Sequence, residues 1–158
     1  LNQVLKKIKP DEVIVIYSDI LFEKKCLSKI IKSKYSISTI IDTDWKRKWK
    51  KKSNFMNDLE ELKIKNSKIY SLGKKTFDLE KIDGRFLGIT KFSKKMTINL
   101  KRHLISKILG KNKNIDFTNF LMELIKSNFQ VNAISGKFSW HEFDNPRDFK
   151  VFKKVKNI

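Results

Sequence analysis

The chain has 158 residues, 40% of them hydrophobic, which is enough for one domain with a sizeable core and too apolar for a disordered polymer. No apolar run is long enough to span a membrane, and no signal-peptide pattern opens the sequence. The formal net charge of +19 raises nucleic-acid binding as one interpretation of function.

The positive charge is carried mostly by lysines spread along the whole chain. The one dense cluster with interleaved aromatic residues is "WKRKWKKK", at residues 45–52. Arginine, which base readout favours, occurs only at Arg47, Arg85, Arg102 and Arg147. The charge therefore favours background lysine usage over specific nucleic-acid recognition, and a basic nucleic-acid-binding module centred on residues 45–52 stays as the alternative.

The first apolar run, "VIVIYSDILF" at residues 13–22, is typical of a strand buried on both faces. Asp19 follows that strand, and in open α/β sheets the carboxyl ends of the strands are where ligands bind. The alternative is that Asp19 caps the next helix. That helix, "FEKKCLSKIIKSK", carries the only cysteine, Cys26, which we interpret as a small buried hydrophobe in a protein of the reducing cytoplasm.

A second apolar run, "ISTIID" at residues 37–42, completes a strand–helix–strand unit, for which we expect parallel pairing and a right-handed crossover. Alternating residues on both sides of Asn66 and Ser67 predict a β-hairpin. "RFLGITKF", at residues 85–92, is another buried strand, followed by a helix capped by Ser93 that extends to Gly110.

The remaining sequence predicts a helix in "NKNIDFTNFLMELIKSNF", strands in "QVNAIS" and "KFSWHEF", and a last helix capped by Asn145. The fold class is α/β: a doubly wound, mostly parallel sheet with an inserted β-hairpin, in a single domain over residues 1–158. Asp144 ends the strand "FSWHEF", as Asp19 ends the first one. If both strands belong to one parallel sheet, the two carboxylates face each other and suit Mg²⁺; ordinary capping is the alternative.

Five segments resemble the sugar-phosphate nucleotidyltransferase superfamily, in order and at about its spacing, with the phosphocholine cytidylyltransferase-like branch the most similar. They are "VIVIYSDILFEKKCLSKII", "IIDTDWKRKW", "LKIKNSKIYSLGKK", "DGRFLGITKFSKK" and "FSWHEFDNPRDF", and the resemblance covers nearly the whole chain. It implies transfer of a nucleoside monophosphate from a nucleoside triphosphate, with CTP favoured, to phosphocholine or a sugar 1-phosphate, with release of pyrophosphate. Asp19 and Asp144 match the family's two catalytic metal-binding aspartates, which hold Mg²⁺.

The resemblance also implies the substrate-binding residues. Lys74 in "SLGKK" matches the lysine that contacts the acceptor phosphate, while Gly73 replaces a glutamate that grips a sugar ring, which favours a smaller acceptor. Gly88 would leave room for substrate, and Phe86 stands where relatives often have tyrosine. Trp140, with Glu142 beside it, and then Trp45 are candidates for holding a quaternary ammonium group, with core packing as the alternative. The alternative for Lys74 is a solvated surface lysine.

No segment matches the family's glycine-rich nucleotide-binding loop. The resemblance therefore implies that roughly 80 to 100 residues, the first half of a doubly wound sheet, are missing at the amino end. We expect the 158-residue chain to be inactive by itself. A degenerate, non-catalytic relative that pairs with another subunit is a further alternative, and a homodimer is compatible with the resemblance.

Overall fold

The computed structural model describes Lys7 and residues 9–49, 59–101 and 115–154. The strands in these ranges are β1 (Val13–Ile16), β2 (Ile20–Phe22), β3 (Ile37–Asp42), β4 (Glu60–Lys65), β5 (Lys68–Lys75), β6 (Arg85–Phe92), β7 (Val131–Gly136) and β8 (Trp140–Glu142). The helices are α1 (Lys24–Ile31), α2 (Trp45–Trp49), α3 (Lys94–Asn99), α4 (Phe117–Lys126) and α5 (Pro146–Lys154), with a short 3₁₀ turn at Leu79–Lys81. The predicted α/β class is confirmed.

Six strands form one mixed sheet in the order β1-β6-β3-β7-β5-β4. Four of them, β1, β3, β7 and β4, run in one direction, and β6 and β5 run against them. The expected common direction therefore holds for most strands, but within the described residues only β3 and β7 are parallel neighbours. Direct pairing of the first two predicted strands was wrong, because β6 lies between β1 and β3 and is antiparallel to both.

The centre of the sheet is β3, whose six residues are all buried. Ile37 and Ile41 point to the face that α3 and α4 cover, and Ile40 points to the opposite face, where α1 packs. Helices on both faces make the domain doubly wound. Cys26 is fully buried on the α1 face, as predicted, and this burial raises the pKa of its thiol to about 11.

The local signals for turns and caps are confirmed. Asn66 and Ser67 both have positive φ, 49° and 60°, as a two-residue hairpin turn between β4 and β5 requires. The Ser93 hydroxyl accepts a hydrogen bond from the backbone N–H of Met96 at the start of α3. The predicted extension of that helix to Gly110 lies outside the described residues.

The strand before Asp144 does not belong to the large sheet. β8 pairs with β2 in a separate two-stranded antiparallel sheet, with Ile20 opposite Glu142 and Phe22 opposite Trp140. The expectation that Asp19 and Asp144 meet across the edge of one parallel sheet was therefore wrong. The apolar run divides at residues 17–19, where the backbone turns out of β1 and enters β2.

Among the described helices, none has both the length and the apolar composition that crossing a membrane requires.

Candidate functional site

The small sheet brings the segments of Asp19 and Asp144 together by a different route from the predicted one. The backbone N–H of Phe143 donates to the carbonyl oxygen of Asp19 at 2.9 Å, which extends the β2–β8 pairing by one residue. Asp144 is the next residue, and both aspartates are exposed. The hydrogen bond therefore places the backbones of Asp19 and Asp144 at the same end of the small sheet.

The start of α5 holds the backbone of Asp144. The Asn145 side chain accepts from the N–H groups of Arg147 and Asp148, which confirms the predicted cap. In return, Oδ2 of the nearly buried Asp148 accepts from the N–H of Asp144 at 2.9 Å and of Asn145 at 3.1 Å. This reciprocal capping box fixes the chain where Asp144 leaves β8.

The space beside Gly88 is filled by Tyr17, not left open for substrate. Gly88 has φ +70°, and a Cβ built on it would lie 2.5 Å from the Tyr17 ring. The Tyr17 N–H donates to the Gly88 carbonyl at 3.1 Å, and its ring contacts Phe86 edge-on at 5.8 Å. The substrate-binding expectation for Gly88 is therefore corrected: its missing side chain makes room for Tyr17. Phe86, half-buried, is a packing partner of that ring.

Thr118 connects the Tyr17 segment with the hairpin strand that carries Lys74. The hydroxyls of Tyr17 and Thr118 are hydrogen-bonded at 3.3 Å. Gly73 has φ +83°, and a Cβ there would lie 2.2 Å from Cγ2 of Thr118. Lys74, the next residue, is exposed. Gly73 and Tyr17, the first residue of the loop that leads to Asp19, thus both contact Thr118 near the start of α4.

Burial is the main cause that raises the pKa of Tyr17. The hydrogen bond with Thr118 acts in the opposite direction, and the carboxylates of Asp116, Glu60 and Asp19 add to the rise. The phenol therefore stays protonated at neutral pH, and its role in this region is that of a neutral hydrogen-bonding group.

Trp45 and Trp140 lie in the hydrophobic core, with exposed fractions of only 2% and 8%. Both belong to the cluster on the α1 face of the sheet. The Trp140 indole N–H donates to Oδ2 of Asp42 at 2.8 Å. Their packing is that of core aromatics, the alternative raised for them from the sequence.

Glu142 lies beside Arg85 at the carboxyl end of β8. The closest oxygen and nitrogen atoms of the two side chains are 3.7 Å apart, and the side chains are only 17% and 12% exposed. The Arg85 charge offsets that of Glu142 at close range.

The described part of the basic cluster at residues 45–52 is largely engaged within the protein. Arg47 donates two hydrogen bonds to Asp44, at 2.9 and 2.7 Å, and its guanidinium lowers the pKa of that carboxyl. The Lys48 ammonium donates to Asp42 at 2.5 Å. Lys50, Lys51 and Lys52 lie outside the described residues. The contacts of Arg47 and Lys48 disfavour the nucleic-acid alternative.

Several residues of this region were not assigned from the sequence. Tyr17, Thr118 and Arg85 gave no signal there, because their roles depend on partners distant in the chain. Asp148 gave a local signal, since it follows the Asn145 cap by three residues, the spacing of a capping box. Asp42 gave a signal: like Asp19, it is a carboxylate at the end of an apolar strand.

Comparison with known proteins agrees with this fold. No family model matches the chain. The chain is 31% identical over 147 residues to CTP:phosphoglutamine cytidylyltransferase of Campylobacter jejuni, covering 89% of the chain and 58% of that relative. The inositol-1-phosphate CTP transferase from T. maritima superposes with a TM-score of 0.67 at 16% identity, over 96% of the chain and 58% of that structure.

A protein described as a glucose-1-phosphate thymidylyltransferase from Bacillus anthracis superposes with a TM-score of 0.65 at 13% identity, over 99% of the chain and 60% of that structure. The chain thus spans somewhat over half the length of the relatives it matches. The two solved structures have the same fold as the chain, and the 31% identity to the cytidylyltransferase adds a similarity in sequence. The chain is therefore similar in sequence to a cytidylyltransferase and shares its fold with two further nucleotidyltransferases.

Proposed function

We propose that the full-length protein is a Mg²⁺-dependent nucleotidyltransferase that uses CTP and a phosphorylated small molecule. An oxygen of the acceptor phosphate attacks the α-phosphorus of CTP and forms a new P–O bond. The bond from the α-phosphorus to the oxygen that bridges to the β-phosphorus breaks, and pyrophosphate leaves with that electron pair. The products are a CDP-linked acceptor and pyrophosphate. Such a transfer depends on positioning and charge neutralisation rather than on a covalent enzyme intermediate.

The observation that carries the proposal is the pairing of β2 with β8, which puts the backbone of Asp19 opposite Phe143, the residue before Asp144. Two exposed carboxylates are a donor set that fits Mg²⁺, which typically takes one or two protein carboxylates and fills its other positions with water and phosphate oxygens. When bound, the ion would neutralise charge on the triphosphate and the acceptor phosphate. Asp148 supports the arrangement through its hydrogen bond to the N–H of Asp144.

For the acceptor, Lys74 is the proposed contact to the phosphate, as a point cation. Its exposure on β5, in the segment that resembles the family's acceptor-phosphate motif, supports this role. A cage of tryptophans for phosphocholine has less support, since Trp45 and Trp140 are core residues. The sequence relative acts, by its name, on phosphoglutamine, so an acceptor of that kind is a candidate beside phosphocholine and sugar 1-phosphates.

The nucleotide-binding part is proposed to add strands beside β1. All four residues of β1 are apolar, yet in the described ranges it is paired on one side only, by β6. An apolar edge strand is an aggregation hazard unless something covers it. Because the 158-residue chain has no segment that matches the nucleotide-binding loop, we propose that this chain alone is inactive. A cytoplasmic location is likewise proposed, on the unpaired, buried thiol of Cys26.

The test is to express the full reading frame and follow pyrophosphate release with Mg²⁺. CTP, UTP, GTP, ATP and dTTP are each combined with phosphoglutamine, phosphocholine and a set of sugar 1-phosphates. Release with CTP and one of these acceptors supports the proposal and names the acceptor. If a folded protein releases no pyrophosphate with any pair, the proposed reaction is wrong. Turnover by the purified 158-residue chain would contradict the proposed inactivity.

A further inference from the structure

The most completely bonded carboxylate among the described residues belongs to Asp42, the last residue of β3. Its side chain is fully buried. Oδ2 accepts from the Lys48 ammonium at 2.5 Å and from the Trp140 indole at 2.8 Å. Oδ1 accepts from the backbone N–H groups of Asp44 at 3.1 Å and Phe138 at 3.3 Å. Both oxygens are thus occupied within the protein, so Asp42 in this arrangement is not presented to an ion or a substrate.

These bonds join two segments that are far apart in the chain. Asp44 and Lys48 belong to the turn after β3 and to α2, while Phe138 and Trp140 lead into β8. Lys48 also donates to the Phe138 carbonyl, so the same ammonium contacts both segments. Asp42 therefore fixes where β8 begins relative to the large sheet.

β8 connects Trp140, which is bonded to Asp42, with the proposed metal site at Asp144. Trp140 lies opposite Phe22 at one end of the β2–β8 pairing, and the bond from Phe143 to Asp19 lies at the other end. Asp144 follows Trp140 by four residues. Because only three residues separate Asp144 from Trp140, a shift of the indole would change where the chain at Asp144 lies relative to the loop that holds Asp19.

Stability alone is a weak reason for this network. A buried ion pair is often no more stabilising than apolar residues of the same volume, because both charges lose their hydration. A carboxylate with four specific donors does define one arrangement of the surrounding chain, because each lost bond would leave a buried polar group unsatisfied. Positioning explains why a charged group occupies the end of a fully buried strand.

We propose that Asp42 is a positioning residue of the nucleotidyl-transfer site, holding Trp140 and β8 so that Asp144 stands next to Asp19. The inference rests on the proposed function, because it takes Asp19 and Asp144 as the metal-binding pair. Asp42 contacts neither metal nor substrate and acts through Trp140.

The test measures Mn²⁺ binding to the full-length enzyme in the absence of nucleotide, from the loss of the electron paramagnetic resonance signal of free Mn²⁺. Asp42→Asn is expected to weaken Mn²⁺ binding about 10- to 100-fold, the range seen for groups that orient metal ligands. Trp140→Phe removes only the indole N–H among the donors to Asp42 and should shift Mn²⁺ binding in the same direction by less. If Asp42→Asn does not fold, Trp140→Phe still decides the question.

Lys91→Met is the matched control for a loss of stability alone. Lys91 is buried like Asp42, but its partner in β3 is Ser38. Ser38 precedes Asp42 by four residues, about 13 Å along the strand, so Lys91 lies far from the Asp42 carboxylate. This variant should lower the melting temperature and leave Mn²⁺ binding unchanged. If Asp42→Asn and Trp140→Phe behave in the same way, the inference is overturned and Asp42 is only structural.

Asp19→Asn separates this inference from the proposed function. Weakened Mn²⁺ binding in Asp19→Asn together with normal binding in Asp42→Asn and Trp140→Phe would overturn the positioning role alone. Unchanged Mn²⁺ binding in Asp19→Asn would overturn the metal site itself, and the positioning role with it. Weakened binding in all three variants, with Lys91→Met normal, is the predicted result.

Discussion

The backbone of Phe143 donates a hydrogen bond to the carbonyl oxygen of Asp19 at 2.9 Å. This bond closes the end of a two-stranded sheet whose strands come from opposite ends of the chain. It brings the segment of Asp144, set by the capping box of α5, beside the loop that leaves β1. The arrangement of the candidate site therefore depends on β2 and β8 more than on the large sheet.

Gly88→Ala should destabilise the full-length protein by about 1–3 kcal/mol, the usual cost of a residue forced into a sparsely populated backbone conformation. Gly88 has φ +70°, and a methyl group there would overlap the Tyr17 ring. The measurement is the free energy of unfolding in urea. Gly136→Ala is the matched control: its φ is not in the left-handed region and its new methyl would meet the Phe138 ring at 3.0 Å, so the loss should be smaller. Equal losses would contradict the role given to Gly88.

Lys91→Met should lower the free energy of unfolding by about 1–3 kcal/mol, because it leaves the part-buried carbonyls at the end of α1 without their charged donor. The Lys91 ammonium donates to the carbonyls of Ile31 at 3.1 Å and Ser33 at 2.7 Å, at the end of α1, and to Glu12 at 3.2 Å. Lys126→Met, at an exposed lysine that is ion-paired with Glu123, is the control and should change stability little. Equal effects in urea unfolding would mean that the buried lysine is dispensable.

Asp83 should contribute stability that disappears in acid. Burial acts to raise the pKa of Asp83, but hydrogen bonds from the Lys63 ammonium and the Ile64 N–H outweigh it and hold the pKa below its ordinary value of 3.8. A lowered folded-state pKa gives stability that is present above pH 3.8 and is lost as the pH falls through the folded-state pKa.

Asp83→Asn should accordingly be less stable than the native protein at neutral pH, with the gap narrowing as the pH falls below 3.8. Urea unfolding across that range measures the gap. Asp11→Asn, at an exposed carboxylate bonded only to the next N–H in the described contacts, is the control for a general charge effect. A gap that stays constant with pH would contradict the linkage.

The thiol of Cys26 should resist modification in the folded protein. Burial, with the charges of Glu23 and Asp42, raises its pKa to about 11, so the reactive thiolate is scarce at neutral pH. Reaction with a chromogenic disulfide reagent should be slow in buffer and fast in urea. Rapid reaction without denaturant would show that α1 opens readily.

Features that depend on neighbouring residues could be predicted from the sequence. The hairpin at Asn66 and Ser67, the caps at Ser93 and Asn145, and the buried strands all follow from turn chemistry and apolar periodicity. The segments of Asp19 and Asp144 are neighbours through the pairing of β2 with β8 and not at the edge of one parallel sheet, while their role as a metal-binding pair stays a prediction.

What the sequence could not supply was the identity of distant partners. A fully apolar run such as β6 indicates burial on both faces but carries no information about which strands lie beside it. For the same reason, the empty volume at Gly88 was assigned to substrate, although Tyr17 occupies it. The role of Asp42 became visible only when β3 and β8 were seen to share its carboxylate.

The most direct test of the proposed metal site is pyrophosphate release by Asp19→Asn and Asp144→Asn in the full-length enzyme. The assay contains CTP, Mg²⁺ and the phosphorylated acceptor that the native enzyme uses. Each variant should lose about 100-fold or more in rate while its melting temperature stays near that of the native protein, because only a metal ligand is removed. Asp11→Asn makes the same chemical change at an exposed site outside the candidate centre and should keep full activity. Normal turnover by Asp19→Asn or Asp144→Asn would contradict the account.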